Sequence, residues 1–348
     1  MDALIEPMLA KLTDAIPLPA RVPGGLLYEP KWDGFRGIVY FDGTDVEIGS
    51  RGGKLLTRYF PELVAMFREQ LSTACTLDGE IVVRSGPGAE RLDWELLSQR
   101  IHPAASRVAK LAEDTPASFV AFDLLFLDGR SLLDTPFGER RSALEKVLSH
   151  AKPPLHLTQT STDPEVAKRW LEEFEGAGLD GVVAKPLAAP YGPGKRTMFK
   201  TKHDRTADVV VVGYRIHRSG AGVGSLLLGL YDAEGVLKNV GGASAFSDAR
   251  RIELVEELAP LVRHDESGGV VKGATERSRF SANKDVSYVA LEPSRVVEVR
   301  YDQMEGSRFR HTVQFVRWRP DRDAASCTYD QLERPIAYDL ANLFQEKV

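Results

Sequence analysis

Tyr28-Glu29-Pro30-Lys31-Trp32-Asp33-Gly34-Phe35-Arg36 is the stretch on which the reading of the whole chain turns. It sets a lysine beside a tryptophan and an Asp-Gly pair, with an arginine five residues on. Two readings compete. Lys31 is a surface lysine at a β-turn whose corner is Asp33-Gly34, or it is a lysine with a chemical task, since lysine rarely enters apolar surroundings without one. A lysine is a nucleophile only when neutral, and its ordinary pKa is about 10.4. Neighbouring cations and partial desolvation lower that value. A lysine that attacks a phosphoanhydride therefore calls for positive neighbours and a metal ion to offset phosphate charge, and both should be visible elsewhere in the chain.

Upstream, residues 1–25 are rich in proline and apolar residues without a period and read as an irregular arm. Downstream, 37–41 and 46–48 are short β-rich runs joined at Asp42-Gly43, a hairpin signal. Ser50-Arg51-Gly52-Gly53-Lys54 is a glycine loop with two cations. A helix is expected from Pro61 to Leu71, with Leu63, Met66, Phe67 and Leu71 on one face. Glu80 stands at the mouth of the apolar run 81–83, either an edge-strand charge or a site residue. Residues 92–112 read as helical, and 119–127 as a buried strand interrupted by Asp123. A helix follows over 136–149, and another is capped at Asp163-Pro164. Asp180-Gly181 opens the strand 182–185, which ends in Lys185. Alternation over 198–202 puts Lys200 and Lys202 on one strand face, where an anion between them would relieve their repulsion. After a polar hinge at 202–206 come strands at 209–216, 225–231, 236–240, 296–301 and 312–316. A helix at 247–262 presents Ile252, Val255 and Leu258, and a polar glycine-rich stretch fills 264–285. These short strands with one helix suggest a small barrel of the OB type.

A chain of 348 residues with 43% hydrophobic content suits two domains with sizeable cores. Its net charge of −5 does not advertise a polyanion partner, although residues 300–322 carry six arginines against three acids, a candidate phosphate-tracking strip. The two cysteines, Cys75 and Cys327, suggest neither zinc nor a disulfide framework. No membrane span or signal peptide is expected, and a reducing cytoplasm is the expected location.

Taken together, Lys31, Arg36, Arg51, Glu80, Asp180, Lys185, Lys200 and Lys202 offer a nucleophile, cations for phosphates, and acids for ribose hydroxyls and Mg²⁺. At this point the sequence resembles the covalent nucleotidyltransferases, and within them the ATP-dependent DNA ligases. Lys31-Trp32-Asp33-Gly34 matches their Lys-x-Asp-Gly motif. Ser50 to Lys54, Leu77-Asp78-Gly79-Glu80, Phe119 to Leu125, Asp180 to Lys185, Phe199 to Lys202 and Arg317-Trp318-Arg319-Pro320-Asp321-Arg322 resemble their later motifs, in family order over residues 28–322. The runs 94–103 and 301–306 resemble the short bacterial ligases of the C type.

The resemblance implies an α+β chain. A nucleotidyltransferase (adenylation) domain of antiparallel sheets flanked by helices, 1–203, would precede an OB-fold barrel with a C-terminal tail, 204–348. It implies that Lys31 takes AMP from ATP, with Mg²⁺, or Mn²⁺ as substitute, and passes it to the 5′-phosphate of a nick. By matched position, Glu80 would hold the ribose with Arg36 nearby, or serve the metal beside Asp180. Phe122 would stack on adenine, with Glu29 beside the base, and Lys185 would join the nucleotide site. Lys200 and Lys202 would hold the α-phosphate, and Arg51 and Lys54 would meet DNA. Arg317, Arg319, Asp321 and Arg322 would act on ATP from the barrel. Expected partners are nicked duplex DNA and DNA-repair proteins such as a primase-polymerase or an end-binding factor, with the ligase itself a monomer.

Two departures stand out. Asp180 replaces the glutamate that usually opens its motif, which puts direct metal ligation in doubt. Only thirty residues precede Lys31, so the expectation is that two domains grip DNA without the helical domain of larger ligases, or borrow help to do so. An RNA ligase or capping guanylyltransferase shares Lys-x-Asp-Gly and is separated by nucleotide and substrate preference. A non-catalytic OB-type binding module would take no covalent label from ATP.

Overall fold

The structure is a computed structural model that describes residues 4–86, 89–274, 286–333 and 338–344. The chain divides into two compact units, Met1–Lys202 together with Pro335–Val348, and His203–Arg334.

The first unit is built on two sheets. In the larger, strand Phe35–Phe41 lies between Val46–Ser50 and Cys75–Ser85, and Cys75–Ser85 pairs in turn with Ala117–Leu127. Both strands are buried along most of their length because both their faces are covered, and Ala117–Leu127 is accordingly an almost continuous apolar run. Helix Pro61–Gln70 sends Leu63, Met66 and Phe67 into one core cluster, and helix Phe137–Val147 sends Leu144 into the same cluster. The smaller sheet has the order Leu9–Thr13, Arg196–Thr201, Val182–Pro186, Leu26–Pro30. It brings two chain segments far apart in sequence, 9–30 and 182–201, alongside one another, and Lys31 follows directly on its last strand.

Several expectations are refined. The arm before residue 25 contains strand Leu9–Thr13, which pairs in parallel with Arg196–Thr201. Its apolar residues alternate too weakly to announce a strand, and Leu12 is 61% exposed. The helical stretch over 92–112 is two helices, Trp94–Gln99 and Ala105–Asp114, parted around Pro103, where proline disfavours helix at the residue before it. Strand Arg196–Thr201 stops one residue short of Lys202. The largest difference is at the C-terminus, where the tail was expected to continue the second domain. Residues 338–344 pack instead on the first unit, with Leu340 and Leu343 buried beside Trp32 and Trp170.

In the second unit, strand Arg205–Ile216 pairs with Val223–Tyr231 and Val296–Tyr301, Val223–Tyr231 with Leu237–Ala243, and Val296–Tyr301 with Gln314–Trp318. A parallel bridge from Ala243 to Val313 closes the circuit into a small barrel, which is the OB-type architecture. Helix Asp248–Leu258 buries Leu254 and Leu258, whereas Ile252, expected inside, is 49% exposed. Two short strands not expected from the sequence, Lys272–Ala274 and Ser287–Ala290, extend the sheet. Part of the polar stretch 264–285 lies outside the described residues.

Candidate active site

The main chain of Lys31 is bracketed by the turn that opens strand Val182–Pro186. Its N–H donates to the Gly181 carbonyl at 2.9 Å, and its carbonyl accepts from the Asp180 N–H at 3.0 Å. Gly181 has φ +106°, and a Cβ there would collide with the Thr201 carbonyl, so no other residue permits the turn. Gly34 is equally constrained, because a Cβ there would strike the Ile81 carbonyl. The glycines after Asp33 and Asp180 are therefore what let two strand ends come together at Lys31.

The side chain completes the bracket. Lys31 Nζ donates to Asp180 Oδ2 at 2.7 Å, and Lys202 Nζ meets the same oxygen at 2.7 Å. Asp180 is only 6% exposed, so its carboxylate is shared by two ammonium groups at the edge of a cleft. The cleft lies between the two sheets, with Glu29, Lys31, Lys185 and Lys200 on one side and Arg36, Arg51, Glu80 and Phe122 on the other. Eight of the residues singled out from the sequence thus line one cleft of the first unit. Lys202 and Asp180 stand behind Lys31, while Lys54 belongs to the exposed loop after Arg51 and does not line the cleft.

Burial gives the cleft its electrostatics. Burial raises the Glu80 carboxyl to about 7, against the opposing pull of Arg36 and Lys31 and an amide hydrogen bond from Gly34 at 3.1 Å. Burial lowers the Lys200 ammonium, and Lys202 and Lys31 push it in the same direction. Burial also raises Glu29, although Lys185 lies 2.7 Å from its Oε2 and Arg141 at 4.0 Å from its Oε1. Among the described residues, the buried Glu29 Oε1 has no hydrogen-bond partner, so a buried acceptor in the cleft lining is left for a donor. Phe122 is mostly buried, with the Arg36 guanidinium 4.6 Å and the Lys185 ammonium 4.5 Å from its ring centre.

Asp78 and Tyr191 were not singled out from the sequence. Asp78 is fully buried and takes both guanidinium hydrogen bonds of Arg36, and Tyr191 donates to it at 2.7 Å. Burial alone would lower Arg36, but the Asp78 carboxylate overrides it and keeps the guanidinium firmly charged. The signal for Asp78 was present: two acids spaced by one residue in Leu77-Asp78-Gly79-Glu80 share a strand face. For Tyr191, in an irregular loop, no local pattern existed.

Arg317, Arg319, Asp321 and Arg322 form a cluster within the second unit. Arg319 pairs with Asp208 at 2.9 Å and with Asp321 at 2.9 Å, and Arg317 with Glu298 at 2.6 Å. The strand pairing explains this, since Asp208 lies opposite Glu298 and Glu298 opposite Arg317. Arg300 likewise pairs with Asp204 at 3.0 Å. The arginine strip over 300–322 is thus less positive than its own composition implies, because acids from neighbouring strands answer it.

Residues 7–202 match the family model described as ATP dependent DNA ligase domain, and 219–322 the one described as ATP dependent DNA ligase C terminal region. The chain belongs to the ATP-dependent DNA ligases. DNA ligase C1 of Mycolicibacterium smegmatis is 54% identical over 349 residues, covering 99% of this chain and 98% of that protein. The multifunctional non-homologous end joining DNA repair protein LigD of Mycobacterium tuberculosis is 32% identical over 79% of this chain and 34% of its own length. A solved Lig E DNA ligase shares the fold at 17% identity, with a TM-score of 0.56 over 91% of this chain and 100% of its own. The ligase is accordingly an enzyme that uses ATP and acts on nucleic acid. Among the described residues, no helix is long and apolar enough to cross a membrane.

Among the described residues of this ligase, no group of three or more His, Cys, Asp or Glu side chains could hold a metal ion. That is not at odds with Mg²⁺, which commonly takes one or two carboxylates and completes its shell from water and substrate phosphates. Asp180 Oδ2 is already shared by two ammonium groups, so Asp180 suits such an ion through a metal-bound water rather than by direct contact; Glu80, held by the Gly34 amide, is a weaker candidate.

Proposed function

We propose that this ligase seals 3′-hydroxyl/5′-phosphate nicks in duplex DNA through AMP carried on Lys31. The observation that supports this most is Lys31 Nζ at the edge of a cleft, fixed by Asp180 and faced by Lys200, Glu80 and Glu29. In the first step Lys31 Nζ bonds to the α-phosphorus of ATP, the bond to the β-phosphate oxygen breaks, pyrophosphate leaves, and nitrogen gives up its proton. An oxygen of the nick 5′-phosphate then takes the adenylyl phosphorus, returning Lys31 Nζ as leaving group. The 3′-hydroxyl attacks the activated 5′-phosphate and AMP departs. Asp180 would serve Mg²⁺ directly or through a metal-bound water, and the ion when bound would offset phosphate charge. Lys200 and Lys202 would hold the α-phosphate. Glu29 Oε1 would accept from the adenine amino group, Glu80 from the ribose, and Phe122 would lie against the base. Arg51 and Lys54 would reach DNA, and Arg317, Arg319, Asp321 and Arg322 would act on the triphosphate in the first step. A repair role, alongside a primase-polymerase or an end-binding factor, is supported by similarity to a protein named for end joining. A cytoplasmic monomer is the setting proposed for it. Labelled ATP followed by nicked DNA or nicked RNA tests the reading. The expected result is a covalent label discharged by nicked DNA and poorly by nicked RNA.

Because Glu80 sits at about 7, the carboxylate that accepts from ribose hydroxyls forms as pH rises across neutrality. The self-adenylation rate should rise through that range, and Glu80→Gln, an amide without a titration, should flatten the limb. A pH profile unchanged by Glu80→Gln removes Glu80 from the nucleotide site. DNA binding, in turn, should be weak and carry a shallow salt slope. Arg300, Arg317 and Arg319 are already paired with acids, and each phosphate contact contributes only about 0.9 to the logarithmic slope. Tight, salt-insensitive binding of nicked duplex by the isolated ligase would contradict this.

A further inference from the structure

Residues 338–344 follow the second unit in sequence but belong to the core of the first. Leu340 is fully buried and Leu343 is 4% exposed, in the same apolar cluster as Tyr28, Trp32, Leu179 and Val182. The main chain is tied down as well: Leu340 N–H donates to the Glu90 carbonyl at 2.7 Å, and Gln159 Nε2 to the Leu343 carbonyl at 3.0 Å. At the end of the segment, the Phe344 ring stacks on Trp32 at 5.2 Å with 27° between the planes. His156 lies 4.0 Å away, and the Arg84 guanidinium is 5.1 Å above the Phe344 ring. Burial, with Arg84 adding to it, holds His156 at about 3, so the imidazole packs as a neutral ring.

We propose that this segment is a positioning strap for the nucleophile, with Phe344 acting through Trp32 on Lys31. Trp32 is the residue after Lys31, so its orientation sets the peptide that carries the lysine. Its indole edge is fixed by a hydrogen bond from Nε1 to Thr158 Oγ1 at 2.8 Å, and its face is fixed by Phe344. Thr158 also anchors Arg141, whose Nη2 donates to the Thr158 carbonyl at 3.0 Å and whose Nη1 lies 4.0 Å from Glu29. One packed unit thus supports both Lys31 and Glu29 from behind the cleft. Phe344 lines no part of the cleft itself. A consequence is that a chain cut at residue 205 loses the strap along with the barrel, and its failure to take AMP would not by itself implicate the barrel.

The inference rests on Lys31 being the adenylated residue, and its test is built to separate the two. Full-length Phe344→Ala, Phe344→Leu and Phe344→Tyr are compared for single-turnover AMP loading across ATP concentrations, and for sealing of a pre-adenylated nick. Loading by Phe344→Ala should slow about tenfold at saturating ATP, the scale of a small misplacement of a reacting group, with the KM for ATP within about twofold. Phe344→Tyr should restore loading, and Phe344→Leu, which keeps burial without a stacked ring, should not. Sealing of the pre-adenylated nick, which does not use the lysine as nucleophile, should be unchanged in all three. Normal loading by Phe344→Ala, or equal loss of loading and of pre-adenylated sealing, overturns the proposal. If the alanine variant fails to fold, equal loading by the leucine and tyrosine variants overturns it instead. Lys31→Ala is run beside them: a label on that variant would refute the lysine assignment, whereas an unlabelled Lys31→Ala with a normally labelled Phe344→Ala refutes only the strap.

Discussion

Lys31→Ala should reduce covalent labelling by ATP, and with it the sealing of an unadenylated nick, to background, while a pre-adenylated nick is still sealed. The asymmetry follows from the chemistry, since only the first two steps use the lysine nitrogen, as nucleophile and then as leaving group. It also follows from the geometry. The backbone of Lys31 is held by Gly181 and Asp180 independently of its side chain, so truncation removes the amine without dismantling the cleft. Gel autoradiography with labelled ATP and a ligation assay on both nick types measure it. Persistent label on the alanine variant, or loss of sealing on the pre-adenylated nick as well, would count against the assignment.

Asp180→Ala should lower self-adenylation by about a hundredfold or more, the cost expected when a reacting group loses its placement. Its carboxylate is shared by Lys31 and Lys202, each at 2.7 Å. Removing it leaves cations facing one another across a partly buried space, an arrangement that costs much more than an exposed pair would. A competing view is that Asp180 serves only the turn, for its N–H meets the Lys31 carbonyl and Gly181 follows. Asparagine would preserve that turn, so the two views diverge at Asp180→Asn. We expect the asparagine variant to be nearly as impaired as alanine, and Asp180→Glu to remain active where the extra methylene is admitted. Sealing by all three variants across Mg²⁺ and Mn²⁺ titrations decides it. An active asparagine variant with unchanged metal dependence would reduce Asp180 to a turn residue.

Much of the site was legible because its residues break local rules. A lysine, two Asp-Gly turns and acids inside apolar strands each contradict the apolar pattern around them, and the two sheets together then gather them around one cleft. That Lys31 and Asp180 touch across 149 positions was not readable from either stretch alone; it needed the parallel and antiparallel pairings of four strands. Asp78 was hidden in plain view, quoted within a motif but assigned no partner until Arg36 and Tyr191 were placed beside it. The barrel was legible from its five principal strands, whereas Lys272–Ala274 and Ser287–Ala290 were not, being short and set in polar surroundings. Helix Asp248–Leu258 was placed correctly but turned, with Leu254 buried rather than Ile252. The return of 338–344 to the first unit had no sequence signal, since a few apolar residues after a domain carry no period that names their partner.

Mapping the adenylate tests the central claim most directly. The purified ligase is incubated with ATP and Mg²⁺, digested under conditions that preserve the phosphoramide bond, and its peptides sequenced by mass spectrometry. One AMP on Lys31 is predicted, lost from that peptide after a chase with nicked duplex DNA. An adenylate on any other residue, or nick sealing by a protein that never carries AMP, would contradict it.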